Sequence, residues 1–408
     1  MKILFLSSVI PYTKHYTAAS TVLASLIKQS TIKKNLTDLY VLDDNLDLKL
    51  EKKFTKKYLN QINVYRTKKF NFTIYIYKII RFFFILIFKF DIFPVINKSV
   101  FKKIRDDLET AKYDLIILFW DTKFEYLLPF IKNQNTFGYL AVPPYSASII
   151  MHNNFSKFKN FYYKIKLKYF KNLQNIHVNN LKSLKNASNI CNITKNWYRD
   201  RSINCTYIPN CWENFSKIYR RSSFKKKDTK FNICSSIGGL NATGNYFGIK
   251  YLADFILPKI NKKNLLFNIY GRYKLHKELV YLKKNKFFKF KGFVRDIDNE
   301  VIRSKFCLIL NNAHNKSLVG GYTRVIYFFS LGKCLIAHRN LKKSMPELIN
   351  NYNCLLGNSS KQIVGLINRS VKDKIMIKKI GLNAKKTFFR KYSSKIIFNK
   401  ILKEASCE

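Results

Sequence analysis

The sequence predicts an α/β protein of two domains, each a parallel sheet covered by helices. Three observations carry that expectation. At 408 residues the chain exceeds what one core holds, because single cores stop growing near about 250–300 residues. Short apolar runs alternate with stretches of helical spacing, the pattern of strands buried on both faces by crossover helices. That rhythm breaks once, at "YIPNCWENFSKIYRRSSFKKKDTK" (207–230), where a Pro-Asn turn leads into polar and basic residues, and then it restarts.

In the first half, Ile3 to Val9 reads as a buried strand and Ala18 to Lys28 as a helix. "YDLIILFWD" (113–121), "NTFGYLAVPP" (135–144) and "ASNICNIT" (187–194) read as further strands. The opening apolar run is too short for a secretion signal. In the second half, "FNICSSIG", "NLLFNIYG", "FFKFKGFV", "FCLILNN" and "CLIAH" are strands. Helices are expected at Tyr246 to Ile260, at Leu275 to Lys283 and across "GGYTRVIYFFSL". The tail "KKTFFRKYSSKIIFNKILKE" (385–404) is amphipathic and long enough to leave the second domain. The expected division is therefore a first domain over 1–208, a linker over 209–229, a second domain over 230–384 and a crossing helix over 385–408.

Hydrophobic residues make 47% and aromatics 16% of the chain, which excludes a disordered polymer. The net charge of +51, from 75 basic and 24 acidic residues, implies polyanionic partners. AT-rich codon usage would raise lysine by itself, but it does not choose where acids are missing. None lies between Glu51 and Asp91, and none between Glu125 and Asp200. All eight cysteines follow residue 190 and form no C-x-x-C pair. Buried thiols of a cytoplasmic protein fit this better than a zinc site or disulfides, so no metal is expected.

Ligands of open parallel sheets bind beyond the carboxyl ends of the strands. In the second half, glycines fall at three such places: Gly238-Gly239, Gly271, and Gly320-Gly321 ahead of a helix. Backbone amides without side chains approach anions closely, and a helix N-terminus adds partial positive charge. Arg324, one turn into that helix, would neutralise a phosphate. One glycine pair alone is more often a plain turn; three in order point to a nucleotide.

These segments, "SSIGGLNATGNYFGIKYLADFILPKI" (235–260), "FKGFVRDIDNEV" (290–301), "GGYTRVIYFFSLGKCLIAH" (320–338) and "PELINNYNCLLGNS" (346–359), resemble the donor-binding domain of GT-B-type glycosyltransferases. The closer likeness is to the large group usually assigned a retaining mechanism. "ASNICNIT…YIPN" (187–210) resembles the end of that family's acceptor domain, and the tail its crossing-back helix. The likeness is close over about residues 185 to 405 and loose before them.

The resemblance implies two Rossmann-like domains facing across a cleft, a nucleotide-sugar donor as substrate, and no metal or other cofactor. It places Gly238 and Gly239 beside the donor diphosphate, with Gly271 and Arg272 at the next strand end. Phe293, Val294 and Arg295 would lie beside the nucleobase, and Gly320, Gly321, Tyr322, Thr323 and Arg324 along the phosphates and donor sugar. Where the family carries a Glu for the ribose hydroxyls this chain has Tyr327, and no carboxylate occurs from Val301 to Pro346. "TKHYTAAS" stands in place of the family's glycine-rich loop after the first strand. Tyr327 would contact the ribose, stack on a base, or be core within "VIYFFSL"; all three stay open.

The first half carries "FNFTIYIYKIIRFFFILIFKF" (70–90), whose Lys78, Arg81 and Lys89 share one helical stripe. Three cations argue against a membrane span. A helix lying on a membrane and a buried helix with snorkelling lysines are the two alternatives. "FSKFKNFYYKIKLKYFKN" (155–172), basic and aromatic without an acid, favours the membrane. Candidate catalytic groups are His15, Asp121 and His314, each near a strand end; for any one of them a solvated surface role competes. Nothing pairs two carboxylates as glycoside hydrolysis requires.

The expected function is a hexosyl-type glycosyltransferase, cytoplasmic and peripheral on the inner face of the plasma membrane. Its partners would be a nucleotide-sugar, a lipid-linked or surface-polysaccharide acceptor, and an anionic membrane surface. The alternative is a non-catalytic homologue that docks or scaffolds. No specific nucleic acid partner is expected, because charge alone suggests one and no recognition motif accompanies it.

Overall fold

The computed structural model describes residues 1–12, 17–43, 52–66, 73–141, 143–146, 148–149, 161–213, 231–240, 242–260, 265–272, 274–313 and 322–406. It divides into two units. One is Met1–Pro209 together with Ser394–Glu408, and the other is Asn210–Ser393.

The first unit is built on β1 (Lys2–Ser7), β2 (Leu36–Asp43), β3 (Gln61–Arg66), β4 (Leu115–Phe119), β5 (Thr136–Leu140), β6 (Asn186–Asn189) and β7 (Cys205–Tyr207). Their order is β3-β2-β1-β4-β5-β6-β7, and every pairing is parallel. Ile3, Leu4, Phe5 and Leu6 are wholly buried, as a central strand covered on both faces must be. The Ala18–Ile32 helix follows, capped by the Thr17 hydroxyl accepting from the Ser20 N–H at 3.1 Å. The last helix, Ser394–Ser406, packs on it and on β5 and β6.

The second unit contains β8 (Phe231–Ile237), β9 (Leu265–Tyr270), β10 (Phe288–Gly292), β11 (Phe306–Ile309), β12 (Leu335–His338) and β13 (Leu355–Gly357). The order β10-β9-β8-β11-β12-β13 is again all parallel. Counted from β8 this is 3-2-1-4-5-6, the doubly wound dinucleotide-binding arrangement, whose direction reverses between β8 and β11.

Several elements differ from the sequence reading. β2, β3 and β7 were not expected. β2 hides because Asp38 interrupts its apolar run; buried, that carboxylate accepts from Tyr113 Oη and Asn60 Nδ2, both at 3.0 Å. The helix expected over Tyr246 to Ile260 is α-helical only over Thr243–Tyr251, then a π turn at Leu252–Ile256 and a 3₁₀ turn at Leu257–Lys259. Pro258 ends the α-helical ladder there. The boundary expected at 384/385 falls inside one helix, Lys374–Lys391, which packs on the Tyr322–Ser330 helix. The chain leaves the second unit only after Ser393. Of the expected linker, residues 214–229 lie outside the described residues, and Asn210 to Glu213 belong to the second unit. The seven described cysteines are buried, and among the described residues none is in a disulfide.

The apolar 70–90 segment forms the Thr73–Phe88 helix, and its cations do not make the expected stripe. Lys89 lies past the helix end at φ +54. Arg81 turns inward to a bidentate pair with Asp91, Nε to Oδ1 at 2.8 Å and Nη2 to Oδ2 at 2.7 Å. Tyr126 Oη and the Phe93 N–H also donate to that carboxylate, at 2.6 and 3.0 Å. Burial is the largest single influence on Arg81 and opposes its charge, but the hydrogen bonds and the negative charge of Asp91 together outweigh it and raise its pKa. Asp91→Ala would leave the guanidinium and two further donors without their acceptor, and is expected to destabilise the first unit by about 2–3 kcal/mol, read as a lower urea midpoint.

Candidate functional site

The second unit's strand-order reversal gathers its chemistry. Beyond β8 the backbone turns through Gly238, at φ +113, a conformation that disfavours side chains. Here β8 and β9 nearly touch: a Cβ on Gly271 would stand 1.7 Å from the Gly238 carbonyl oxygen. The Gly238 N–H donates to Tyr270 O at 3.1 Å, the Gly271 N–H to Gly292 O at 2.8 Å, and the Leu240 N–H to Arg272 O at 3.0 Å. These glycines therefore zip the strand ends together, and their amides do not face an anion as the sequence suggested. Gly239 is different. Its carbonyl accepts from Asn245 Nδ2 at 2.7 Å, and its N–H has no partner among the described residues.

Asn245 is buried on the Thr243–Tyr251 helix, and its Oδ1 accepts from Arg324 Nη1. Arg324 sits in the first turn of the Tyr322–Ser330 helix. Among the described residues no carboxylate pairs with this partly buried guanidinium. Burial pushes its pKa down to about 10, so it stays charged at neutral pH with one neutral amide as neighbour. Asn311, just beyond β11, adds a buried Nδ2 donor without a partner. An anion entering here would meet Arg324, the open Gly239 amide and a helix N-terminus.

The flanking expectations divide. Arg272 and Phe293 meet beyond β9 and β10, the guanidinium 4.1 Å from the ring centroid. Phe293 is 55% exposed, and Arg272 and Arg295 are exposed too while Val294 is partly buried. An exposed cation–π pair of this kind offers a flat face and a charge to an aromatic anion. Tyr322 is buried with its hydroxyl on Ser344 Oγ at 3.4 Å. Thr323 Oγ1 accepts from Asn210 Nδ2 at 2.7 Å. Tyr327 is buried, its hydroxyl donating to Asp298 Oδ1 at 2.5 Å and its ring 5.4 Å from that of Trp212. It sits in the core of the apolar "VIYFFSL" run, where Asp298 gives the hydroxyl a partner. Gly320, Gly321, His314 and His15 lie outside the described residues.

In the first unit, Asp121 is not a solvated strand-end acid. It is buried and saturated: the Ser8 hydroxyl donates to Oδ2, and the Lys123 and Phe124 N–H groups to Oδ1 at 2.5 and 2.6 Å. This bond joins the ends of β1 and β4. Burial pushes the Asp121 pKa up while those donors pull it back. Trp120 beside it holds φ +47 with a buried indole N–H lacking a partner. The sequence reading also missed a buried chain in which His177 Nδ1 meets Glu125 Oε2 at 2.5 Å and Nε2 meets Tyr198 Oη at 3.0 Å. No motif announces it; its members come from three elements.

Two substitutions separate these roles. Gly271→Ala forces a backbone clash, and is expected to lower second-unit stability by more than about 2 kcal/mol, measured by thermal unfolding. Tyr327→Phe should cost about 1–2 kcal/mol by taking a donor from buried Asp298, yet leave affinity for nucleoside diphosphates within about twofold. A much larger affinity loss would return Tyr327 to the ligand.

No family model matches the chain, and no curated protein sequence matches it. Solved structures do. Anabaena HepE in complex with UDP and glucose superposes with a TM-score of 0.62 at 13% identity, covering 100% of both chains. Sucrose-phosphate synthase from Thermosynechococcus elongatus gives 0.65 at 10% identity, covering 98% of this chain and 97% of that one. The lipopolysaccharide outer core galactosyltransferase WaaB, in its apo form, gives 0.60 at 14% identity over 99% of each. At such identities the likeness is architectural, and it shows that this chain has the GT-B fold of two Rossmann-like domains.

Proposed function

We propose that the protein is a glycosyltransferase. It takes a sugar from a nucleoside-diphosphate-sugar held at the β8/β11 reversal of the second unit and passes it to a lipid-linked or surface-polysaccharide acceptor. One observation carries the reading: Arg324, partly buried at the carboxyl edge of a doubly wound sheet, with a neutral amide and, among the described residues, no carboxylate beside it. A diphosphate supplies the missing counter-charge. When the sugar leaves, negative charge grows on the β-phosphate, and a preorganised cation stabilises that growth more than the ground state. Arg324, the Gly239 amide and the Tyr322–Ser330 helix N-terminus do this in place of a metal. Arg272 and Phe293 flank the nucleobase.

The similar structures bound to UDP, or to UDP and glucose, support a uridine nucleotide and a hexose. The galactosyltransferase among them supports a glycolipid or polysaccharide acceptor. A second reading, a homologue that binds nucleotide without turning it over, is favoured by one observation: Tyr327 is core where the resembled family places a ribose-binding Glu.

Binding of uridine, guanosine, cytidine and adenosine diphosphates at high salt, with pyrophosphate as control, tests the proposal. Preference for one nucleoside diphosphate, weakened at least ~10-fold by Arg324→Ala, is the expected result. Equal, salt-sensitive binding of all of them and of pyrophosphate would overturn it. Release of free sugar from the preferred donor separates enzyme from binder.

A further inference from the structure

We infer that the Thr73–Phe88 helix is a membrane-insertion face, lying in the plane of an anionic bilayer leaflet. Among the described residues the helix is held to its unit along one side. Phe82 meets Tyr169 of the Phe161–Leu181 helix at a ring separation of 4.8 Å, and Asn172 Nδ2 donates to Ile85 O at 2.9 Å. Ile85 is fully buried. The other side is apolar and exposed: Ile79, Ile80, Phe83, Ile87 and Phe88 head it, Ile87 at 61% and Phe88 at 66% exposure. At 100° per residue these side chains share one half of the helix, over roughly 14 Å of its length. A continuous patch of large apolar groups is not what a soluble surface leaves uncovered.

Charge selects the occupant. Lys78 and Lys89 stand exposed at this helix, and Lys164, Lys168 and Lys171 on its neighbour. Asp91, the next acid in sequence, is buried against Arg81, and no acid occurs from 52 to 90 or from 126 to 199. An exposed apolar face with cations on its own helix and on the neighbouring helix matches acyl chains beneath anionic head groups. No helix among the described residues is long and apolar enough to cross a membrane, so the fit is in-plane. The exposed Phe161 and Tyr162 begin the neighbouring helix. Tyr169 and Asn172 meet Phe82 and Ile85 in the same order, so the two helices run in one sense and widen the face.

The inference does not depend on the donor site. Full-length protein is floated with phosphatidylcholine vesicles, with and without about 30% phosphatidylglycerol. Binding is expected only with the anionic lipid. Replacing Ile79, Phe83 and Ile87 together by Ser should lower partitioning ~100-fold or more, with thermal midpoint and nucleoside-diphosphate binding unchanged. Ile87→Trp should show a blue-shifted emission on the same vesicles. Three results would overturn the inference: wild-type partitioning by the triple variant, an unshifted Ile87→Trp emission, or a lipid-independent dimer that the triple variant dissolves. The last would assign the face to a second copy of the chain.

Discussion

A guanidinium held by a neutral amide governs the second unit. Taking a charge out of water costs free energy unless an opposite charge meets it, and among the described residues Arg324 meets the neutral amide of Asn245 and no carboxylate. Asn245 in turn grips the Gly239 carbonyl, so the glycine turn, the amide and the cation form one chain of hydrogen bonds. The strand order brings these three pieces together from separate elements. Gly271 keeps the geometry by letting β9 run against the Gly238 carbonyl. The site is thus an electrostatic deficit at the sheet's carboxyl edge, which the proposed diphosphate would relieve.

Much of this was legible beforehand. Two α/β units and the strand-end placement of the glycines follow from period and punctuation, because parallel strands buried on both faces leave continuous apolar runs. Arg324 stood out as a cation one turn into a glycine-led helix. The role of the glycines did not, since sequence cannot distinguish an amide aimed at a ligand from one spent joining two strands. Tyr327 was ambiguous for a related reason: its hydroxyl needed Asp298, which lies 29 residues away. β2 escaped because burying Asp38 against Tyr113 makes a core strand look polar. The ion pair of Arg81 with Asp91 escaped because helical spacing assigns a face, not a partner.

The first unit hides four of its acids. Asp38, Asp91, Asp121 and Glu125 are all buried, each accepting from donors of its own core. The surface of that unit is therefore more cationic than its composition suggests. Codon bias adds lysines; it does not turn carboxylates inward. The buried set also fixes local geometry, with Asp121 tying β1 to β4 and Asp91 anchoring a helix whose outer face is apolar.

The chain passes between units twice, at Pro209/Asn210 and again at Ser393/Ser394. The second unit is thus an insertion within the first. The closing Ser394–Ser406 helix packs on the Ala18–Ile32 helix, β5 and β6, all of which are made before the second unit. At about 5–20 residues per second, those surfaces wait on the order of 10–40 s for their cover while the inserted unit is made. The order of synthesis therefore lets the second unit finish before the first closes, and leaves the Ala18–Ile32 helix, β5 and β6 without their cover until the last helix is made.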